Sequence, residues 1–275
     1  GFLDVEITQD GRLYGRVFDI LNRSSSLIIL SLGMTFVIAT AGIDISVGAV
    51  VAISGAVCCS LIGGRGDGVA EYPMIVAMIA AVAAGVICGM WNGFLVAKIK
   101  IQPMVVTLIL MVAGRGIAQL LTEGQIITVY YAPFSYIGGN IPGNIIPSPI
   151  IIAILMIALV VFILKKTSLG LFIQSVGINP TASRYAGINV ALIIFLVYAF
   201  SGFCAGVSGL IESSLIRAAD ANNAGLNMEM DAILAVALGG TLLSGGKFYI
   251  GGSIIGAITI QTLTTTMYAM GVASD

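Results

Sequence analysis

The chain has no histidine, one tryptophan, and only 12 basic and 13 acidic side chains, 9% of its 275 residues, where ordinary globular domains carry roughly 25%. Each shortage excludes something. Without imidazole there is no histidine metal ligand, no Ser-His-Asp arrangement and no histidine proton relay. A net charge of −1 gives no electrostatic reason to bind nucleic acid. No Gly-x-x-x-x-Gly-Lys-Ser/Thr loop is present, so nucleotide chemistry would have to reside in another subunit. Cys58, Cys59, Cys88 and Cys204 lie in apolar runs without metal-ligand spacing, which suits buried free thiols. No catalytic residue, metal or cofactor is therefore expected. No signal peptide is visible and the chain opens at Gly1 without an initiator Met, so it reads as part of a longer protein.

What is present is apolar: 58% of residues are hydrophobic and mean hydropathy is +1.07. This composition predicts an all-α polytopic transmembrane bundle, a single membrane domain over residues 1–275. Residues 1–24 are too polar to cross and read as an amphipathic surface segment. Two apolar runs, Leu27–Thr40 and Ala49–Ile62, meet at a polar break holding Gly42, Asp44, Ser46 and Gly48. Neither run reaches the ~20 residues that a crossing helix needs. Interrupted backbone at membrane depth survives only where protein or a water-filled cavity satisfies its polar groups, so broken helices mark transport sites.

The pattern Gly42-x-x-Ile-Ser-x-Gly48 returns as Gly240-x-x-Leu-Ser-x-Gly246. It predicts an internal repeat with two broken elements. Asp44 faces Leu242 in this match, so the turn itself does not demand a carboxylate. Capping the following helix suits Asp44 better than binding substrate. Asp44 is the only acid expected within reach of the membrane interior.

Further runs follow in order. Met74–Ala97 is long enough to span, with Gly85, Gly89 and Gly93 as a small-residue ridge for close helix packing. Asn92 beside this ridge is expected to bond a neighbouring helix. Met104–Leu121 carries Arg115, which serves either as a polar group of a transport path or as an anchor snorkelling to the surface. Residues 122–149, rich in proline and glycine, read as an external loop. Ile150–Leu164 and Val190–Ile211 are the next spans, Glu212–Asp231 a polar stretch, and Phe248–Met270 a last span with Gly252-x-x-x-Gly256. Between them Thr167–Gly187 is the longest helical pattern outside the membrane, with Asn179-Pro180 as helix start and Gly187 as stop.

The segment Ala41-Gly-Ile-Asp-Ile-Ser-Val-Gly48 resembles the Gly-Gly-Ile-Asp-Leu-Ser-Val-Gly signature of permease subunits of bacterial ABC importers for monosaccharides, the ribose, arabinose and xylose branch. Ala41 and Ile45 depart from it conservatively. Gln102-Pro-x-x-x-Thr-Leu with Arg115-Gly116, Gly177-x-Asn-x-x-Ala182 with Gly187, and Asp231-Ala-Ile-x-Ala235 with Gly239-Gly240 extend the resemblance over nearly the whole chain. Asp10-Gly-Arg-Leu-Tyr-Gly15 and Ala219-Asp-Ala-Asn-Asn-Ala-Gly225 look most similar to permeases of galactofuranose importers. The resemblance implies a multi-pass inner-membrane subunit working with a cytoplasmic ATPase, a periplasmic sugar-binding protein and a second permease copy or close paralogue, in contact with membrane lipid. It also implies a first and a last membrane helix that this chain lacks.

Under that reading the translocation path is expected at Gly42, Asp44, Ser46, Gly48, Asn92, Arg115, Gly240, Ser244 and Gly246. The ATPase coupling loop is expected at Gly170, Gly177, Asn179, Ala182, Arg184 and Gly187. Alternating the spans puts Lys98, Lys100, Lys165, Lys166, Arg184 and Lys247 on one side, expected to be cytoplasm. An ion-coupled secondary transporter is the alternative, but ion coupling wants several buried acids and Asp44 is the one this reading finds.

Overall fold

Helix α1 runs from Arg16 to Ala39, 24 residues, through the centre of the molecule, where Ile29, Leu32, Met34 and Val37 are fully buried. The structure, a computed structural model, describes residues 6–7, 13–14, 16–63, 70–141 and 146–270. Much of the polar segment at the start, and the glycine-rich linker that begins at Gly63, lie outside the described residues. What is described of the start corrects the sequence reading, because α1 begins eleven residues before the expected run and is long enough to cross. Its polar turn is absorbed by partners. Asp19 and Arg23 pair at 3.2 Å, and the Ser25 hydroxyl donates to the Leu21 carbonyl at 2.8 Å. A hydroxyl that bonds its own helix backbone hides its polarity.

The chain then breaks over Thr40–Ser46 and restarts as α2, Val47–Ile62, only 16 residues and almost entirely buried. Helix α3, Met74–Phe94, continues as a π-helical turn to Ile99, and α4 follows at Pro103–Leu121. The external loop is not featureless: it holds a strand at Ile127–Thr128 and a short helix, α5, at Ser135–Gly138. That strand pairs antiparallel with Ala218–Ala219. Helix α6 spans Ser148–Lys166, α7 Leu169–Ile178, α8 Pro180–Tyr185 and α9 Val190–Ile216. Helix α10, Met228–Leu238, is 11 residues long, and α11 covers Ile250–Ala269.

Five described helices are long and apolar enough to cross a membrane: Val17–Ala39, Met74–Ile99, Pro103–Leu121, Ser148–Lys166 and Val190–Ile216. The expected last span forms a 20-residue helix, but its threonines and glutamine keep it out of that set. Helix α9 also runs five residues past its expected end, so Glu212 sits in its last turns rather than in a loop.

Small residues decide which helices touch. A Cβ added at Gly85 would lie 2.6 Å from the Gly202 carbonyl oxygen, and one at Gly93 would lie 2.9 Å from that of Phe195. The α3 ridge therefore seats on α9 backbone to backbone, the close approach expected between helices in lipid. Gly252 and Gly256 of α11 meet Gly239, just past the end of α10, and Ala235 of α10 in the same way. Both repeat-bearing segments are thus helix–break–helix units, α1–α2 and α10–α11. Their breaks differ in conformation, since Gly48 is already in the first turn of α2, whereas Gly246 holds φ +95° four residues before α11.

Candidate functional site: two helix breaks and the helix between them

The first break closes on a hydrogen-bonded knot. Asp44 is 2% exposed. One carboxylate oxygen accepts the Ser46 amide at 3.1 Å and the Ser46 hydroxyl at 2.6 Å. The other accepts the Ser201 hydroxyl of α9 at 2.9 Å. The Asn92 amide of α3 donates to Ser46 Oγ at 2.9 Å, so Asn92 bonds the break itself and not a neighbouring helix. Tyr198 Oη closes the other side, 2.6 Å from where a Cβ at Gly42 would stand. Ser201 is the twelfth residue of α9, about 16 Å along a helix of about 40 Å, so the knot lies against the middle third of that helix.

Asp44 does not cap α2 in the expected way. The N-cap position is Ser46 and no side chain bonds the first amides of α2. The carboxylate instead braces the turn before the helix and ties it to α9.

Arg115 and Gly48 belong to a second cluster. The Arg115 guanidinium donates to the carbonyls of Ala221 at 3.2 Å and Ala224 at 2.5 Å, and Gln119 donates to Asn222 at 2.7 Å. Helix α4 is thereby bolted to the loop before α10. Gly48 packs directly on the Gly225 carbonyl and the Glu229 carboxylate, leaving no room for a side chain. Glu229 is only 6% exposed, which corrects the expectation that Asp44 is the one acid at depth. A polar stretch running to Asp231 hides it, because α10 in fact starts at Met228.

The second break does not mirror the first in its surroundings. Gly240 has φ +82° and nothing near its Cβ position, and Ser244 is exposed, so neither touches the Asp44 knot. Gly246 does reach the first unit: its amide donates to the Ala39 carbonyl at 2.8 Å. The positive φ there is a conformation that glycine adopts without strain. Gly177 of α7 sits on the same spot, too close to the Ala39 carbonyl for any side chain and 2.6 Å, from a Cβ position, to the Gly246 nitrogen.

Most of the other residues expected in the coupling loop are exposed. Asn179 caps α8, its side-chain oxygen accepting from Thr181 and Ala182 at 3.0 Å each. Ala182, Arg184 and Gly187 are exposed, while Gly170 packs against Leu164. Around them Leu171, Ile178 and Tyr185 stand 65%, 70% and 90% exposed, an apolar patch of the kind that marks an interaction site. Lys98, Lys100 and Arg184 line one cleft at this end.

A family model described as the permease component of branched-chain amino acid transport systems matches residues 16–274. The chain belongs to this permease family. The curated relatives it resembles are named for sugars. The permease is 48% identical over 96% of its length, and 76% of the relative's, to the galactofuranose transporter permease YtfT of Escherichia coli K12. It is 39% identical to the fructose import permease FruF of Bifidobacterium longum, over 96% of this chain and 74% of that one. It is 37% identical to the ribose import permease RbsC of Escherichia coli K12, over 94% and 79%. No solved structure matches significantly. The permease is a multi-pass inner-membrane protein whose family role is transport.

Proposed function

We propose that this permease forms the membrane path of an ATP-driven importer for a monosaccharide, with galactofuranose or a related sugar as cargo. The observation that carries this reading is the 48% identity to a galactofuranose permease over nearly the whole chain. The geometry supports a division of labour. The exposed patch at Leu171, Ile178 and Tyr185, with Asn179, Ala182, Arg184 and Gly187, docks a separate ATPase. Gly170 and Gly177 face inward, and Gly177 bears on both breaks at Ala39 and Gly246. Movement imposed on α7 is handed directly to the two interrupted elements. Sugar arrives from a periplasmic binding protein, and a second permease copy or a paralogue completes the path. The basic end, with Lys98, Lys100 and Arg184, faces the cytoplasm.

Within the path, Gly42, Asp44, Ser46 and Asn92 act as the hinge, with Gly48 and Arg115 fixing the neighbouring loop. Gly240, Ser244 and Gly246 form the second, looser break. The ion-coupled alternative loses ground to the relatives, all three of which are permeases for sugars. Deletion of the gene in its own host, followed by uptake of radiolabelled D-galactose, D-ribose, D-fructose and D-allose, tests the reading. Loss of uptake of at least one sugar, restored by the gene in trans, is expected. Unchanged uptake of all four overturns it.

A further inference from the structure

A polar cavity lies between α1, α9, α10 and α11, its Gly225 wall backing onto Gly48 of α2. Its volume is about 260 Å³, and Arg23, Glu212, Asn223, Asp231 and Gln261 line it. This is below the roughly 300–1,000 Å³ of pockets for drug-sized ligands, so the space suits a small molecule. Glu212 is four residues from the end of α9, about 6 Å, which places the cavity at the end opposite the lysines.

The hydrogen-bonding inventory is partly unspent. Glu212 lies beside Ser26 and Arg23, and Arg23 is held by Asp19. The Asn223 amide donates to Asp220 at 2.7 Å, which leaves its side-chain oxygen free. The Asp231 carboxylate and the Gln261 amide make no hydrogen bond among the described residues. Two acceptor-only groups, two amides and a guanidinium therefore converge on one space.

Ligand classes can be weighed against this set. An anion meets two carboxylates. An apolar ligand would bury the free carboxylate and amide without partners, which costs. A metal cation finds only one uncommitted carboxylate, and no group of three metal-ligating side chains exists among the described residues. A neutral polyhydroxylated molecule fits, since each hydroxyl donates to a carboxylate or accepts from an amide or guanidinium. Hydroxyls also continue below the cavity along α1: Ser26 meets Ser208 at 2.5 Å and Thr35 donates to Ser253 at 2.8 Å. Thr35 is one turn from Ala39, where the two breaks touch.

We propose that this cavity is a hydroxyl-recognising subsite for a neutral monosaccharide in the half of the membrane nearer the binding protein, with Asp231 and Gln261 as its specificity-determining residues. The proposal rests on the sugar-importer reading above. Asp231 accepts from one sugar hydroxyl and Gln261 bonds a second, while Arg23 and Glu212 shape the wall.

The test uses the intact importer with its ATPase and binding protein in proteoliposomes. The probes are the best-transported of D-galactose, D-ribose, D-fructose and D-allose, together with its monodeoxy analogues. Asp231→Asn and Gln261→Leu are each expected to lower uptake of the parent sugar by roughly threefold to tenfold. Stimulated ATP hydrolysis should persist, and the gap between the parent and one deoxy analogue should narrow, at a different hydroxyl for each variant. An unchanged gap for every analogue overturns the proposal. So does a fall shared equally by all sugars and by ATP hydrolysis, which would mean a packing role. Stabilisation of the wild type by Mg²⁺ that is lost in Asp231→Asn overturns it in favour of a cation site. If the wild type carries none of the four sugars, the importer reading itself has failed, an outcome separate from selective failure of the two variants.

Discussion

Gly177 stands so close to the carbonyl oxygen of Ala39 that a methyl group there would overlap it. The same carbonyl accepts the Gly246 amide, so one oxygen atom joins the helix on the basic face to both breaks. Gly177→Val is therefore expected to push α7 off this seat. Uptake of radiolabelled sugar should fall at least tenfold at matched membrane expression, while the variant still inserts. Normal uptake by well-inserted protein would show that α7 does not transmit through this contact.

Asp44→Asn should keep much of the transport activity. Asparagine still accepts the Ser46 amide through its oxygen, and the Ser201 hydroxyl can rotate to accept from the new amide. Asp44→Ala leaves the Ser46 and Ser201 hydroxyls buried without their acceptor, at a cost of about 1–3 kcal/mol for each group, and should lower both melting temperature and uptake. Thermal unfolding in detergent with parallel uptake assays checks the pair. Equal and complete loss of uptake in Asp44→Asn, with its stability kept, would make the charge itself the working feature.

Gly48→Leu should be far worse than either, because Gly225 and Glu229 leave no space for a side chain. The expected result is poor insertion or no uptake, measured by membrane yield and transport. Wild-type behaviour would mean that the loop before α10 moves aside freely.

Arg115→Gln should loosen that loop without disturbing the Asp44 knot. Losing the bonds to Ala221 and Ala224 is expected to raise amide hydrogen exchange between Asp220 and Leu226, with little change in α1 or α9. Exchange that is unaltered in the loop would deny Arg115 its anchoring role.

Single cysteines at Ser168 and Asn222, in a background without the four native thiols, test the orientation. Asn222→Cys should react with an impermeant thiol reagent in intact cells, and Ser168→Cys only after lysis. The reverse pattern inverts the topology.

The membrane class, the order of helices and the first break were all legible in the chain, because each depends on local composition: apolar runs, glycines and prolines act on their own few turns. The α3 ridge of Gly85, Gly89 and Gly93 announced a close helix contact in the same way. Its partner, α9, was not announced. Residues 16–26 misled the reading, since polarity counted along the chain cannot see that Ser25 bonds its own helix and that α1 is enclosed by other helices. Glu212 and Glu229 were taken as loop acids for the same reason: burial is conferred by neighbours, not by the side chain itself. The Asp44 knot needed Ser201 and Asn92 from two other helices, and the meeting of Ala39, Gly177 and Gly246 needed three distant segments. Sequence by itself determined where most of the apolar helices run and where the first of them fails. Only the tertiary structure decided which failures touch, because contacts between separate helices in lipid depend on the fit of small residues and on a few hydrogen bonds rather than on any pattern along one helix.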